Sequence, residues 1–307
     1  MISLISPSEV KNPTSIAIGS FDGLHAGHRK LIESVVEDNL YTPTIASFWP
    51  HPREVLYKET RLRLDLPEEK LPILEDLGIE QLVLIHFNRE LSKLSAVRFV
   101  RDILINQLQA KTIAVGANFK FGFKRSGDIK TIKNMIKDTD IKLKITPVLE
   151  DKEGRISSSR IRDLLEKSDL KNAFKMLNRA YSFNGKVVKG KGIGKSIGWP
   201  TANLEIDGRK FLPGEGVYAA WTTIENSNQK IESIMNLGSQ PTINPLLPSA
   251  VEVHLINKDI DLYGLNLSVE PVEKIRSQIR FENIDQLSCQ IKKDKDNALG
   301  IFKNNTH

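Results

Sequence analysis

The chain has 307 residues, about twice a typical domain of ~150, and its 40% apolar and 27% charged residues are the fractions of a globular protein, so two folded cores are expected. One cysteine, Cys289, excludes an intrachain disulfide, a cysteine zinc knuckle and a redox pair. A formal charge of +6 admits nucleic acid, a membrane surface or anionic small substrates without choosing among them.

No apolar run approaches the ~20 residues that span a bilayer, and Met1 to Pro7 lacks the basic and apolar segments of an export signal. A cytoplasmic protein is expected. The first half alternates strand and helix patterns: strands at 15–19, 44–48, 81–87 and 112–116, helices at 28–39, 67–77 and 96–107. That alternation predicts a parallel sheet with helices on its faces and a ligand at the carboxyl ends of its strands. The lysine-rich segment 120–144 reads as a solvated helix face, with a nucleic-acid groove as the less favoured reading.

Helices at 160–166 and 170–177 follow. Beyond Tyr181 the period changes to two, with strands at 183–189, 202–206, 216–224, 230–237, 251–256 and 267–276. Six short, mostly antiparallel strands predict a small closed barrel, with a terminal helix at 284–302 packed on it. The expected division is residues 1–166 and 183–307, joined by a linker at 167–182.

The first chemically dense run is Gly19-Ser20-Phe21-Asp22-Gly23-Leu24-His25-Ala26-Gly27-His28. It falls where strand gives way to helix, a position whose backbone N–H groups and helix dipole favour phosphate. Gly19 and Gly27 permit close approach, and imidazole N–H groups can stabilise charge on a transferring phosphoryl group. A structural histidine pair and a partial zinc site completed by His51 are the competing readings. Ser157-Ser158-Ser159-Arg160-Ile161-Arg162 starts a further helix, where the serines suit an N-cap and Arg162 can bind phosphate oxygens in pairs.

In the second half, Gly190-Lys191-Gly192-Ile193-Gly194-Lys195-Ser196 is one residue short of a P-loop and leads to Trp199-Pro200 instead of a helix. Without a helix such a loop can still wrap phosphates as a nest of backbone amides. Thr201 and Asn203 are two apart on a strand and share a face, offering oxygens of the kind Mg²⁺ takes while it also binds substrate phosphates. Glu252 and His254 share a face by the same count. An exposed barrel strand without catalysis gives that pattern too.

Together, the Gly-x-Phe-Asp-Gly-x-His-x-Gly-His run and the serine-rich helix start resemble the HxGH nucleotidyltransferase superfamily. The runs 47–52 and 115–122 narrow the likeness to the adenylyltransferase module of bacterial bifunctional FAD synthetases. The order of Gly190 to Leu204, Gly216-Val217-Tyr218, 236–242, 251–254, Leu262-Tyr263-Gly264 and Ile275-Arg276 is similar to riboflavin kinase. The resemblance implies a Rossmann-like N-terminal nucleotidyltransferase and a C-terminal β-barrel kinase, which convert riboflavin to FMN and FMN to FAD with ATP as co-substrate.

It further implies Glu252 as general base, Thr201 and Asn203 as holders of Mg²⁺, and Gly190, Gly192, Gly194, Lys195 and Arg276 as nucleotide contacts. In the first domain it assigns His28 and Arg162 to catalysis. Gly19, Phe21, Asp22, His25, Asn118, Ser157, Ser158 and Ser159 would bind flavin and nucleotide. Mg²⁺ is expected in both sites. The expected partners are riboflavin, FMN, FAD and ATP, with no nucleic acid or membrane; a homo-oligomer is neither required nor excluded. Lys195 stands where an Arg is usual, Gln278 where a Glu is usual, and Ser159 where a Thr is usual.

Overall fold

The computed structural model describes residues 2–58, 62–190, 194, 198–238 and 251–304. Its contacts divide the chain into two compact units, Met1–Arg61 with Asp65–Ser158, and Leu62–Leu64 with Ser159–His307.

The first unit is built on a six-stranded parallel sheet of order β1-β4-β3-β2-β5-β6. Its strands are β1 (Ser3–Ile5), β2 (Thr14–Ile18), β3 (Thr42–Trp49), β4 (Gln81–His86), β5 (Ala110–Gly116) and β6 (Lys142–Thr146). Alternation along β2 sends Ile16 and Ile18 to one core and Ala17 to the other, so helices must cover both faces. Helices α1 (Ala26–Val36) and α3 (Pro67–Asp76) bury Leu31, Ile32, Val35 and Leu74 on the Ala17 side. On the other side lie α4 (Ala96–Arg98), its continuation at Phe99–Gln107, and α5 (Ile129–Ile136). A short α2 (Pro52–Tyr57) follows β3.

Two expectations need correction here. The helix expected at 96–107 is one α turn followed by a π-helix, closed by Leu108 N–H on the Ile103 carbonyl, a spacing of five residues. The lysine-rich segment is not one solvated helix face. It carries α5, which buries Ile132 and Ile136, and then β6, whose partner is β5.

In the second unit β9 (Phe183–Val188), β10 (Ala202–Glu205), β11 (Gly216–Ile224), β12 (Lys230–Leu237), β13 (Val251–Leu255) and β14 (Asn266–Arg276) close into an antiparallel barrel of order β10-β13-β12-β11-β14-β9. A hairpin of β7 (Glu150–Asp151) and β8 (Gly154–Arg155) ends the first unit. Helix α6 (Ser158–Glu166) and α7 (Leu170–Leu177) follow it. The contact boundary at Ser158 thus assigns α7 to the barrel unit, where Leu170, Ala173, Met176 and Leu177 are buried. The terminal helix α8 (Ile284–Asn304) lays Ala298 and Phe302 on Val217, Ala219 and Ile234, with the Phe302 ring 4.5 Å from that of Trp221.

The barrel unit also holds Leu62–Leu64 through a bridge between Arg63 and Lys210. Lys210 is fully buried, and its ammonium donates to the Leu64 carbonyl at 2.6 Å and the Ser182 carbonyl at 2.9 Å while facing the Tyr181 ring at 4.8 Å. Burial of a lysine is tolerable only with such partners.

Candidate active sites

Strand order reverses direction of growth at β2: β3 and β4 lie on one side of it, β5 and β6 on the other. Loops leaving the carboxyl ends of β2 and β5 therefore diverge and open a crevice. A cavity of about 190 Å³ occupies it, lined by Gly19, Phe21, His25 and His28 after β2, Asn118 after β5, and Arg155 from β8.

The loop after β2 is strained. Phe21 and Leu24 both sit at positive φ, 45° and 43°, with Gly23 at 89° between them. Residues other than glycine rarely adopt this geometry, and here burial of both side chains to 0% exposure holds it. The helix begins earlier than expected: His25 is the N-cap of α1, its Nδ1 accepting from the His28 N–H at 3.4 Å. That bond fixes His25 with its proton on Nε2.

His25 and His28 stack with ring centroids 3.7 Å apart and 16° between planes. Burial, with Arg155 adding to it, pushes the His25 pKa down to about 4. Burial and then His25 itself hold His28 well below its ordinary value. Both rings are neutral at pH 7, and His28 Nδ1 is a buried atom without a hydrogen-bond partner among the described residues. With its amide oriented to satisfy both groups, Asn118 accepts from Nη1 and Nη2 of Arg155 at 2.8 and 3.1 Å.

Ser158 Oγ donates to the Asp22 carbonyl at 2.8 Å, tying the start of α6 to the motif loop, and Asp22 is 2% exposed. Ser157 and Ser159 flank Ser158 without lining the cleft. Arg162 is held within the second unit, donating Nε and Nη2 to the Leu62 carbonyl at 3.2 and 3.0 Å and facing the Phe211 ring at 5.9 Å. Among the described residues lining the crevice is the cation Arg155, which sequence reasoning missed. It lies two residues before the serine run, in a two-residue strand with no pattern to announce it.

A second cavity of the same unit, about 490 Å³, shares Phe119 with the first. Phe48, Tyr57, Phe87, Phe99 and Phe121 line it, together with Lys120, Lys124 and Arg125. Phe48 and Phe87 meet edge to face at 5.8 Å, and Phe119 stacks on Phe121 at 5.3 Å. Its walls suit a flat aromatic ligand.

The barrel unit brings the other predicted residues together. Gly194, Thr201, Asn203, Glu252 and Arg276 line one cavity of about 330 Å³. The β10–β13 register pairs Asn203 with Glu252 directly, which sets their side chains on one face of the sheet. Gly190 packs so tightly on Asn203 that a Cβ there would lie 2.0 Å from the amide nitrogen. Gly192 and Lys195 lie outside the described residues, as does the run 239–242.

Thr201 and Asn203 supply neutral oxygens, and Glu252 a carboxylate, beside a cavity with room for phosphates. No cluster of three or more acidic, histidine or cysteine side chains forms among the described residues. This donor set fits Mg²⁺ shared with substrate phosphates and not a metal cage made of protein alone.

The terminal helix supplies the wall that sequence reasoning missed. Leu287, Ile291 and Asp294 face the cavity, a helical spacing that was present in the sequence. Arg276 is anchored by that helix, donating Nε and Nη2 to Asp294.

Comparison with known proteins matches residues 8–160 to the FAD synthetase family and residues 177–302 to the riboflavin kinase family. Bifunctional riboflavin kinase/FMN adenylyltransferases of Buchnera aphidicola from Schizaphis graminum and of Bacillus subtilis are 34% and 33% identical. The alignments cover 93% of both chains for the first, and 94% of this chain and 92% of the relative for the second. The chain belongs to the bifunctional riboflavin kinase/FMN adenylyltransferase family. That of Escherichia coli K12 is 32% identical over 94% of this chain and 92% of its own.

A solved structure from Streptococcus pneumoniae, described as a macrolide-efflux protein, superposes with a TM-score of 0.82 at 29% identity, over 95% of this chain and 96% of that one. Among the described residues no helix here is long and apolar enough to cross a membrane.

Proposed function

We propose that the barrel unit transfers the γ-phosphoryl group of ATP to riboflavin and that the N-terminal unit transfers AMP from ATP to the resulting FMN, the division of labour falling between residues 1–166 and 183–307. The observation that carries the reading is the convergence of Thr201, Asn203, Glu252 and Gly194, which come from separated segments, on one cavity.

In the barrel, the terminal ribityl hydroxyl attacks the γ-phosphorus, its proton passing to Glu252 while ADP leaves. Thr201 and Asn203 would hold Mg²⁺, which supplies electrostatic stabilisation of the phosphates. The glycine loop contributes backbone amides, and Gly190 gives Asn203 the room it needs.

In the first unit, an FMN phosphate oxygen bonds to the α-phosphorus of ATP as the bond to pyrophosphate breaks. The nucleophile is already an anion, so no general base is needed, and rate comes from alignment and charge stabilisation. Neutral His25 and His28 lie at the helix N-terminus to donate to phosphate oxygens, and Arg155 supplies positive charge there. The aromatic cavity sharing Phe119 seats the flavin ring. Mg²⁺ in both sites, small-molecule partners only and a cytoplasmic setting complete the reading.

Incubation with riboflavin, ATP and Mg²⁺, with FMN and FAD followed separately by chromatography, tests it. FMN and then FAD are expected. FAD from supplied FMN but nothing from riboflavin would overturn the kinase half, and no product from either would overturn both.

A further inference from the structure

His254 has a contact that the reaction just described leaves unused. Its Nδ1 lies 2.8 Å from the Pro200 carbonyl oxygen. A carbonyl only accepts, so Nδ1 carries the proton. The ring meets Trp199 edge-on at 5.3 Å and 71° and lines the kinase cavity beside Glu252.

The register explains why a side chain is required here. In the β10–β13 ladder Ala202 pairs with Val253 and Asn203 with Glu252, so one further step would set Thr201 opposite His254. The strand begins only at Ala202. Pro200 has no N–H to offer a ladder, and its carbonyl lies beyond the last backbone pair. The His254 imidazole takes over the work of the missing rung. On its other side the segment is held by Trp199, whose Nε1 donates to Ser288 of α8 at 3.2 Å and whose backbone N–H donates to the Gly194 carbonyl at 2.8 Å.

We propose that His254 is a positioning residue of the kinase site: its Nδ1–H on the Pro200 carbonyl fixes the Pro200–Thr201 peptide and thereby sets the Thr201 hydroxyl beside Asn203 and Glu252. The inference rests on the reading of Thr201 as a holder of Mg²⁺ and ATP phosphates. An ordinary aromatic residue filling this face of the barrel would need no donor atom, and the two roles separate by chemistry.

His254→Phe keeps the ring and its contact with Trp199 but has no N–H, whereas His254→Asn places an amide N–H where Nδ1 stood. Calorimetric titration of the full chain with the Mg²⁺ complex of a non-hydrolysable ATP analogue should show one of its two sites weakened about tenfold in His254→Phe and the other unchanged. FMN formation should lose about tenfold in kcat, with the KM for riboflavin held within about twofold and FAD formation from FMN intact. His254→Asn should recover most of both losses.

Equal impairment of the Phe and Asn variants would overturn the proposal, because packing and not the donor would then matter. Should the Phe variant unfold the barrel, seen as a lost thermal transition, His254→Leu replaces it in the comparison. Thr201→Ala is run in parallel. If it leaves analogue affinity and FMN formation unchanged, the reading of Thr201 fails and the inference with it; if Thr201→Ala is impaired while His254→Phe is not, the inference alone fails.

Discussion

Asp294 on the terminal helix grips Arg276 on β14, with both carboxylate oxygens 3.0 Å from Nε and Oδ2 2.8 Å from Nη2. The carboxylate is 2% exposed and the guanidinium side chain 16%. Gln290 donates to Oδ1 at 2.9 Å, and Arg276 Nη1 donates to the Ser277 carbonyl. Each polar atom of the pair is thus engaged, so Arg276 reaches the barrel cavity as an oriented group and the helix is bound to the barrel through it.

Removing one partner leaves a desolvated charge. Asp294→Ala should destabilise the barrel unit by about 3–5 kcal/mol, the range for breaking a buried pair. Urea unfolding followed by Trp fluorescence measures it. FMN formation should fall together with that stability, while FAD formation from supplied FMN persists. An unchanged unfolding midpoint would show that the pair carries no net stability.

Glu252 faces the cavity opposite Asn203 in the ladder. If Glu252 takes the hydroxyl proton as proposed, Glu252→Gln, which keeps size and hydrogen bonding but cannot accept that proton, should lower FMN formation by about 10²–10⁴-fold. FAD formation from FMN should remain at its original rate. Loss of both activities in a folded variant would sink the assignment of the two reactions to separate sites.

Much of this arrangement was legible because alternation along a strand is a local property. Val251, Val253 and Leu255 are buried and Glu252 and His254 half-buried, as period two demands. What was not legible depends on distant segments. β1 is three residues long and exists through its pairing with β4, and its short run carries no alternation to read. The aromatic cavity draws Phe48, Phe87, Phe99 and Phe121 from four separated segments; the runs holding Phe48 and Phe121 carried the resemblance, but nothing local joins them to Phe87 and Phe99 in one cavity. Nothing in the sequence around Asp294 marks it out; it is β14 that places Arg276 against it.

The histidine pair gives the first unit a pH signature. An unfolded histidine titrates near 6.5, whereas His25 folded has a pKa of about 4 and His28 one lowered in the same direction. Above pH 6.5 both rings are neutral whether folded or unfolded. As pH falls toward 4 the unfolded chain binds the protons first, so the stability present at neutral pH is lost across that window, by roughly 3 kcal/mol for His25 alone. His25→Asn should flatten the dependence of the unfolding midpoint between pH 6.5 and 4. A slope equal to that of the unsubstituted chain would contradict neutral, buried histidines.

Gly190 offers the sharpest steric test of the kinase site. An alanine methyl would stand 2.0 Å from Asn203 Nδ2 and 2.5 Å from its amide carbon, closer than non-bonded atoms allow. Asn203 ends in a half-buried position on β10, whose backbone is fixed by β9 on one side and β13 on the other, so the side chain and not the strand must move. Gly190→Ala should therefore cost about 1–3 kcal/mol of stability through overpacking and turn the Asn203 amide away from Glu252. FMN formation should fall by tenfold or more, a magnitude typical of a disturbed metal ligand shell. The double variant Gly190→Ala/Asn203→Ala separates the two costs: it should recover the stability, because the clash is gone, without recovering FMN formation, because the amide oxygen is gone as well. Recovery of FMN formation in the double variant would show that Asn203 contributes nothing to the reaction that its neighbours do not already supply.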